Sequence, residues 1–106
     1  MASEDRKRAA QRALVDRVLN GTGTASADLR ARAFRNADLP PPLRELIDKV
    51  ATRPTQITDA DFAAAGASGY SEDQLVELVI CAAVGESARR YETGLAALAD
   101  AVEEVG

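Results

Sequence analysis

The sequence predicts an all-α bundle of five to six helices. Three observations carry this reading. Apolar residues recur at i, i+3 and i+4 along most of the chain, whereas β-branched residues never alternate over a useful length. Helix-opening Ser, Thr and Pro and helix-closing Gly or Pro punctuate those stretches. The apolar set is also small: 22 Ala, 10 Leu and 8 Val stand against two Phe, two Tyr and no Trp, which suits closely spaced helices around a thin core.

The first helix is expected from about Ser3 to Leu19, with Ala10, Leu14, Val15, Val18 and Leu19 on its apolar side. Asn20-Gly21 closes it, Gly21 being suited to a left-handed residue past the helix end. Gly21-Thr22-Gly23-Thr24 is then a turn. No strand precedes it, so it is not a P-loop or a dinucleotide fingerprint. Ser26 opens the second helix, with Leu29, Ala33, Phe34 and Ala37 inward and Arg30, Arg32 and Arg35 on a solvated basic face. Pro40-Pro41-Pro42 breaks the chain. The third helix then runs to about Arg53, carrying Leu43, Leu46, Ile47 and Val50 at faultless helical spacing, and Pro54 ends it.

Thr58-Asp59-Ala60-Asp61 caps a short fourth helix that reaches about Ala67, with Phe62 as its anchor and Gly66 and Gly69 allowing a tight exit. Ser71-Glu72-Asp73-Gln74 is a capping box. It opens the longest helix, from Glu72 to about Glu103, with Leu75, Leu78, Val79, Ala82, Leu95, Leu98 and Val102 on its buried side. Gly85 and Ala88 form a small-residue notch. Gly94 is expected to bend or interrupt the helix, and a close neighbouring backbone would offset the cost of a helical glycine.

Composition excludes several chemistries. The 106 residues suit a single domain, 1–106, with N-terminal helices over 1–42 and a core over 43–106. The absence of His removes imidazole bases, His–metal sites and Ser-His-Asp triads. A single Cys removes disulfide frameworks, Cys pairs and zinc ribbons. No apolar run approaches a membrane span, and no charged-then-apolar leader is visible. The expectation is therefore a soluble cytoplasmic protein with no metal, cofactor or membrane partner.

Charge is unevenly placed. Residues 1–53 hold 11 basic and 7 acidic side chains, and residues 54–106 hold 2 basic and 10 acidic ones. Either the halves complement each other, within one chain or between subunits, or the first helix is a basic arm for an outside partner. A nucleic-acid site would use Arg6, Lys7, Arg8, Arg12 and Arg17. The net charge of −4 argues against it, and no nucleic-acid partner is expected.

The stretch Ile57-Thr58-Asp59-Ala60-Asp61, then Gly69-Tyr70-Ser71-Glu72-Asp73-Gln74-Leu75, then Ala82-Ala83-Val84-Gly85, Arg89-Arg90 and Leu95-Ala96-Ala97-Leu98 resembles the C-terminal helices of the carboxymuconolactone decarboxylase and AhpD-like alkylhydroperoxidase superfamily. Leu43-Arg44-Glu45-Leu46-Ile47 resembles the helix ahead of that family's active site. The likeness covers residues 43–100 and implies an AhpD-like helical bundle that oligomerises. Redox members carry Cys-x-x-Cys-x-x-x-His at the start of the short helix. Aligned on Gly69, those positions fall at Pro54, Ile57 and Asp61; counted from Glu45, they fall at Ile57, Ala60 and Ala64. Neither alignment supplies a thiol or an imidazole. The resemblance therefore implies a non-redox, non-catalytic homologue.

The remaining candidates for chemistry are few. Cys81 is the only thiol and sits mid-helix among apolar residues, where a Cys behaves as a small hydrophobe. Glu77, one turn earlier, would raise its pKa. Glu45 and Glu77, if buried together, could keep one proton as a general acid. Asp61 belongs to the helix cap and, in one alignment, takes the position of the family's His. Tyr70, Tyr91 and Arg89 are candidate binding residues, with Arg89 also suited to a subunit interface. The leading expectation is a homo-oligomeric accessory protein that binds a protein partner or a small organic ligand. The alternative is a small-molecule enzyme running decarboxylase- or lactone-type acid–base chemistry on Glu45, Glu77 or Asp61.

Overall fold

The computed structural model describes residues 2–105. It contains α1 (Ala2–Asn20), α2 (Ala27–Arg35), α3 (Leu43–Thr52), α4 (Asp59–Ala67) and α5 (Glu72–Val105), with a 3₁₀ turn at Pro54–Gln56 and no strand among the described residues. The all-α class and the helix count follow the sequence reading. None of these helices is long and apolar enough to cross a membrane.

The capping chemistry explains most of the boundaries. The Ser26 hydroxyl accepts from the Leu29 amide and starts α2. Asn36 ends α2 in the left-handed conformation, at φ 53°, so Ala37 lies past the helix and not on its inner stripe. The Thr58 amide donates to Asp61 at 2.8 Å, which fixes the start of α4. At α5 the box is reciprocal: the Gln74 amide donates to the Ser71 hydroxyl at 3.1 Å, and the Ser71 amide donates to the Gln74 side chain at 2.9 Å. Gly69, at φ +107°, makes the turn between α4 and α5. Gly21 does not adopt a left-handed φ. Its role is space, because a Cβ there would press on the Arg17 carbonyl that its own amide caps.

The core is built around α3 and the first half of α5. Leu43, Leu46, Ile47 and Leu78 are fully buried, and Ala33, Ala65, Leu75, Cys81 and Ala82 close the space around them. Phe62 is half-buried against this cluster.

The fold is elongated, 55 × 28 × 21 Å. A 34-residue helix is about 51 Å long, so α5 sets the long axis. Its first half lies among α1, α2, α3 and α4. Its second half runs beside α1, antiparallel to it, with Asp5 and Arg8 near Leu98 and Val102. Here the sequence expectation fails: Leu98 and Val102 are 60% and 62% exposed, and Leu14 on α1 is 46% exposed. Their spacing is correct for one face of a helix, but two helices alone do not enclose that face. Gly94 neither bends nor interrupts α5, and nothing stands close to it. The tight backbone approach occurs at Gly85.

Candidate functional site

At the exit of the Gly21–Thr24 turn the Thr24 and Ala25 amides precede α2, and α5 supplies their partner. The Glu77 carboxylate accepts from the Thr24 amide at 2.8 and 3.0 Å, from the Thr24 hydroxyl at 3.1 Å and from the Ala25 amide at 2.6 Å. Gly23 is needed because a side chain there would strike that carboxylate. The turn is thus an anion cradle filled from within the chain. The Ala25 and Thr24 amides hold the Glu77 pKa below the usual carboxylate range, with the nearby Arg30 adding to the effect.

Arg30 departs from the solvated basic face expected for it. It is only 8% exposed and does not join a solvated face. Its Nη1 donates to the Gly21 carbonyl at 2.7 Å and to the Val18 carbonyl at 3.4 Å, where α1 ends with free acceptors and a negative dipole end. A cation there fastens the end of α1 to α2. The signal was present: Arg30 lies three and four residues before Ala33 and Phe34, on their side of the helix. Arg32 and Arg35 do stand largely outward, Arg32 pairing with Asp28.

Cys81 lies beneath Arg30 and Glu77. It is 1% exposed, with Sγ 3.4 Å from the Val18 carbonyl. Burial pushes the thiol pKa up, and Glu77 pushes it the same way against the opposing Arg30. A protonated, enclosed thiol is a poor nucleophile.

The other candidate carboxylates stand elsewhere. Asp61 accepts from Lys49 at 2.9 and 3.0 Å as well as from the Thr58 amide, and these bonds, Lys49 foremost, lower its pKa. Glu45 is exposed on α3 and opens on a shallow cleft of about 410 Å³ shared with Arg44 and Arg53. The condition for a shared proton between Glu45 and Glu77 is therefore not met. Glu77 and Asp61 are both held as anions, the opposite of what a general acid needs. Arg89 donates to the Phe34 carbonyl at 2.7 Å and to Glu86 at 3.0 Å, so it ties α5 to the end of α2. Tyr70 is half-buried against the core. Tyr91 is half-buried between α1 and α5, with its enclosed hydroxyl unpartnered. Among the described residues, no three His, Cys, Asp or Glu side chains gather as metal ligands would.

Comparison with protein-family models, curated proteins and solved structures finds no match for this chain. The functional reading therefore rests on the side chains themselves. Their arrangement divides into a partly buried polar cluster, with Glu77 over the buried Arg30 and Cys81, and an exposed apolar strip on the projecting half of α5.

Proposed function

We propose that this chain is a non-catalytic assembly protein, a non-redox relative of the AhpD-like proteins, that works as a homodimer joined through α1 and the second half of α5. The observation that carries this reading is the apolar strip of Leu98 and Val102, exposed in a groove between the two helices. A second copy fits it on charge. The start of α1 carries Arg6, Lys7, Arg8 and Arg12, and the facing half of α5 carries Glu92, Asp100 and Glu103. In a two-fold arrangement each basic α1 lies over the partner's acidic α5, and the same contact occurs twice. Four helices then enclose the apolar strip that two leave open. The enclosed Cys81 and the dispersed carboxylates favour this role over thiol or acid–base catalysis.

Sedimentation equilibrium tests the proposal. The expected mass is twice the 11.2 kDa of the chain. The double substitution Leu98→Lys, Val102→Lys is expected to give a folded monomer. A well-folded wild-type monomer at high protein concentration would overturn the assembly. Reduction of an alkyl hydroperoxide with a dithiol donor, beyond a Cys81→Ser control, would overturn the non-redox assignment.

A further inference from the structure

Val76 and Ile80, on the first half of α5, are as open to solvent as a core residue should not be, at 49% and 48% exposed. Leu98 and Val102 are exposed further along the same helix, and α5 runs unbroken between the two patches. At 3.6 residues per turn all four side chains fall within about 80° of one another, on one face about 39 Å long. The exposed, small Ala83 and Ser87 lie on that face between them, so nothing bulky interrupts it. The homodimer proposed above uses the C-terminal end of this face. Leu98 and Val102 supply only part of the roughly 800 Å² per partner that a stable interface covers.

The face matches itself in reverse. Val76 and Ile80 are one turn apart, as are Leu98 and Val102, and position 89 is midway both between Val76 and Val102 and between Ile80 and Leu98. We infer that the Val76–Ile80 patch is the docking surface for the Leu98–Val102 strip of a second copy, with the two α5 helices antiparallel and the two-fold axis at position 89. Val76 then meets the partner's Val102 and Ile80 meets the partner's Leu98, and each contact occurs twice. Shape chooses this direction. The first half of α5 is packed among α1, α2, α3 and α4, and the second half lies beside α1 alone. An antiparallel pair sets each narrow half against the partner's broad half. A parallel pair would crowd the broad halves together, align two helix dipoles and bring Arg90 level with Arg90. Overlap of the second halves alone would leave Val76 and Ile80 uncovered. The inference rests on the homodimer reading and gives that dimer its direction and register.

Disulfide trapping tests it. Ile80→Cys and Leu98→Cys chains are oxidised separately and as a mixture, with the wild type as control because its Cys81 is buried. The mixture is expected to give a covalent dimer, and neither variant alone, since like positions then stand about 27 Å apart along the axis. Leu98→Cys linking to itself, or Ile80→Cys linking to itself, would overturn the register. Ile80→Lys changes a half-exposed position, so the subunit still folds. It should raise the dissociation constant by about tenfold or more in sedimentation equilibrium. A wild-type dimer that Ile80→Lys leaves unchanged, or that the mixture fails to trap, would overturn this docking surface and leave the homodimer standing. A wild-type monomer would overturn both.

Discussion

Gly85 on α5 meets the Phe34 carbonyl at the end of α2. An added Cβ would overlap that oxygen and stand 2.8 Å from its carbonyl carbon. The same oxygen accepts from Arg89 one turn further along α5. One glycine therefore sets how closely the two helices approach, and one arginine satisfies the carbonyl exposed there. Because the obstacle is main chain and not a flexible side-chain end, Gly85→Ala must push the helices apart. It should destabilise the fold by about 3 kcal/mol, measured as a lower urea midpoint.

Gly94 gives the opposite result. It lies inside the same helix, with open space where a Cβ would stand. Gly94→Ala should raise stability by about 1 kcal/mol through helix propensity alone, read from the same urea transition. A loss of stability would mean that another surface covers this position, and comparison at low and high protein concentration would expose it.

Glu77 should shape the acid limb of stability. In the unfolded chain it titrates at its ordinary value of 4.5, and in the fold the amides of Ala25 and Thr24 hold it lower. The unfolded state thus takes up the proton first as pH falls. The stabilisation is complete above the unfolded value and is lost as pH drops through the folded one. Asp61 and Glu86 are lowered too, by Lys49 and by Arg90 with Arg89, and act in the same direction. Glu77→Gln should cost about 1–3 kcal/mol at neutral pH. It should also flatten the fall in urea midpoint between about pH 6 and about pH 3.

Cys81 should be silent in the native protein. Its burial and raised pKa leave neither access nor thiolate. Aromatic disulfide reagents are expected to label it only as the chain opens, so the labelling rate should rise with urea along the unfolding curve. Rapid labelling without denaturant would contradict the packing around Val18.

Salt should weaken the proposed homodimer, which opposite charges on α1 and α5 would guide. Raising sodium chloride screens exposed pairs while leaving the apolar strip to associate. A modest rise in the dissociation constant is expected. Val102→Lys alone should raise it far more, because it places a charge within the apolar contact. Sedimentation at several salt concentrations separates the two effects.

Much of the fold was legible from local pattern. The four inward positions of α3, Leu43, Leu46, Ile47 and Val50, are buried as their spacing requires, because one apolar face has only one way to leave water. The capping box at Ser71 and Gln74 was equally readable, since it involves residues three apart. The site was less so. Asp61 is legible as part of a cap, but its partner Lys49 lies on another helix. Glu77 is visible as a candidate carboxylate, yet its partners Thr24 and Ala25 are more than fifty residues away. Arg30 reads as a solvent residue because a charge is normally exposed, and only the carbonyls ending α1 draw it inward.

Local composition and spacing determined that the chain is helical, where its helices begin, and that it lacks the imidazole and paired thiols of redox chemistry. Such features depend on residues within a turn or two of one another. Which helices meet, which glycine admits a neighbour, which carboxylate fills the amide cradle and which apolar residues stay exposed were decided by tertiary structure. Those outcomes depend on surfaces brought together across the chain, and a side chain's periodic position names its face without naming what that face will meet.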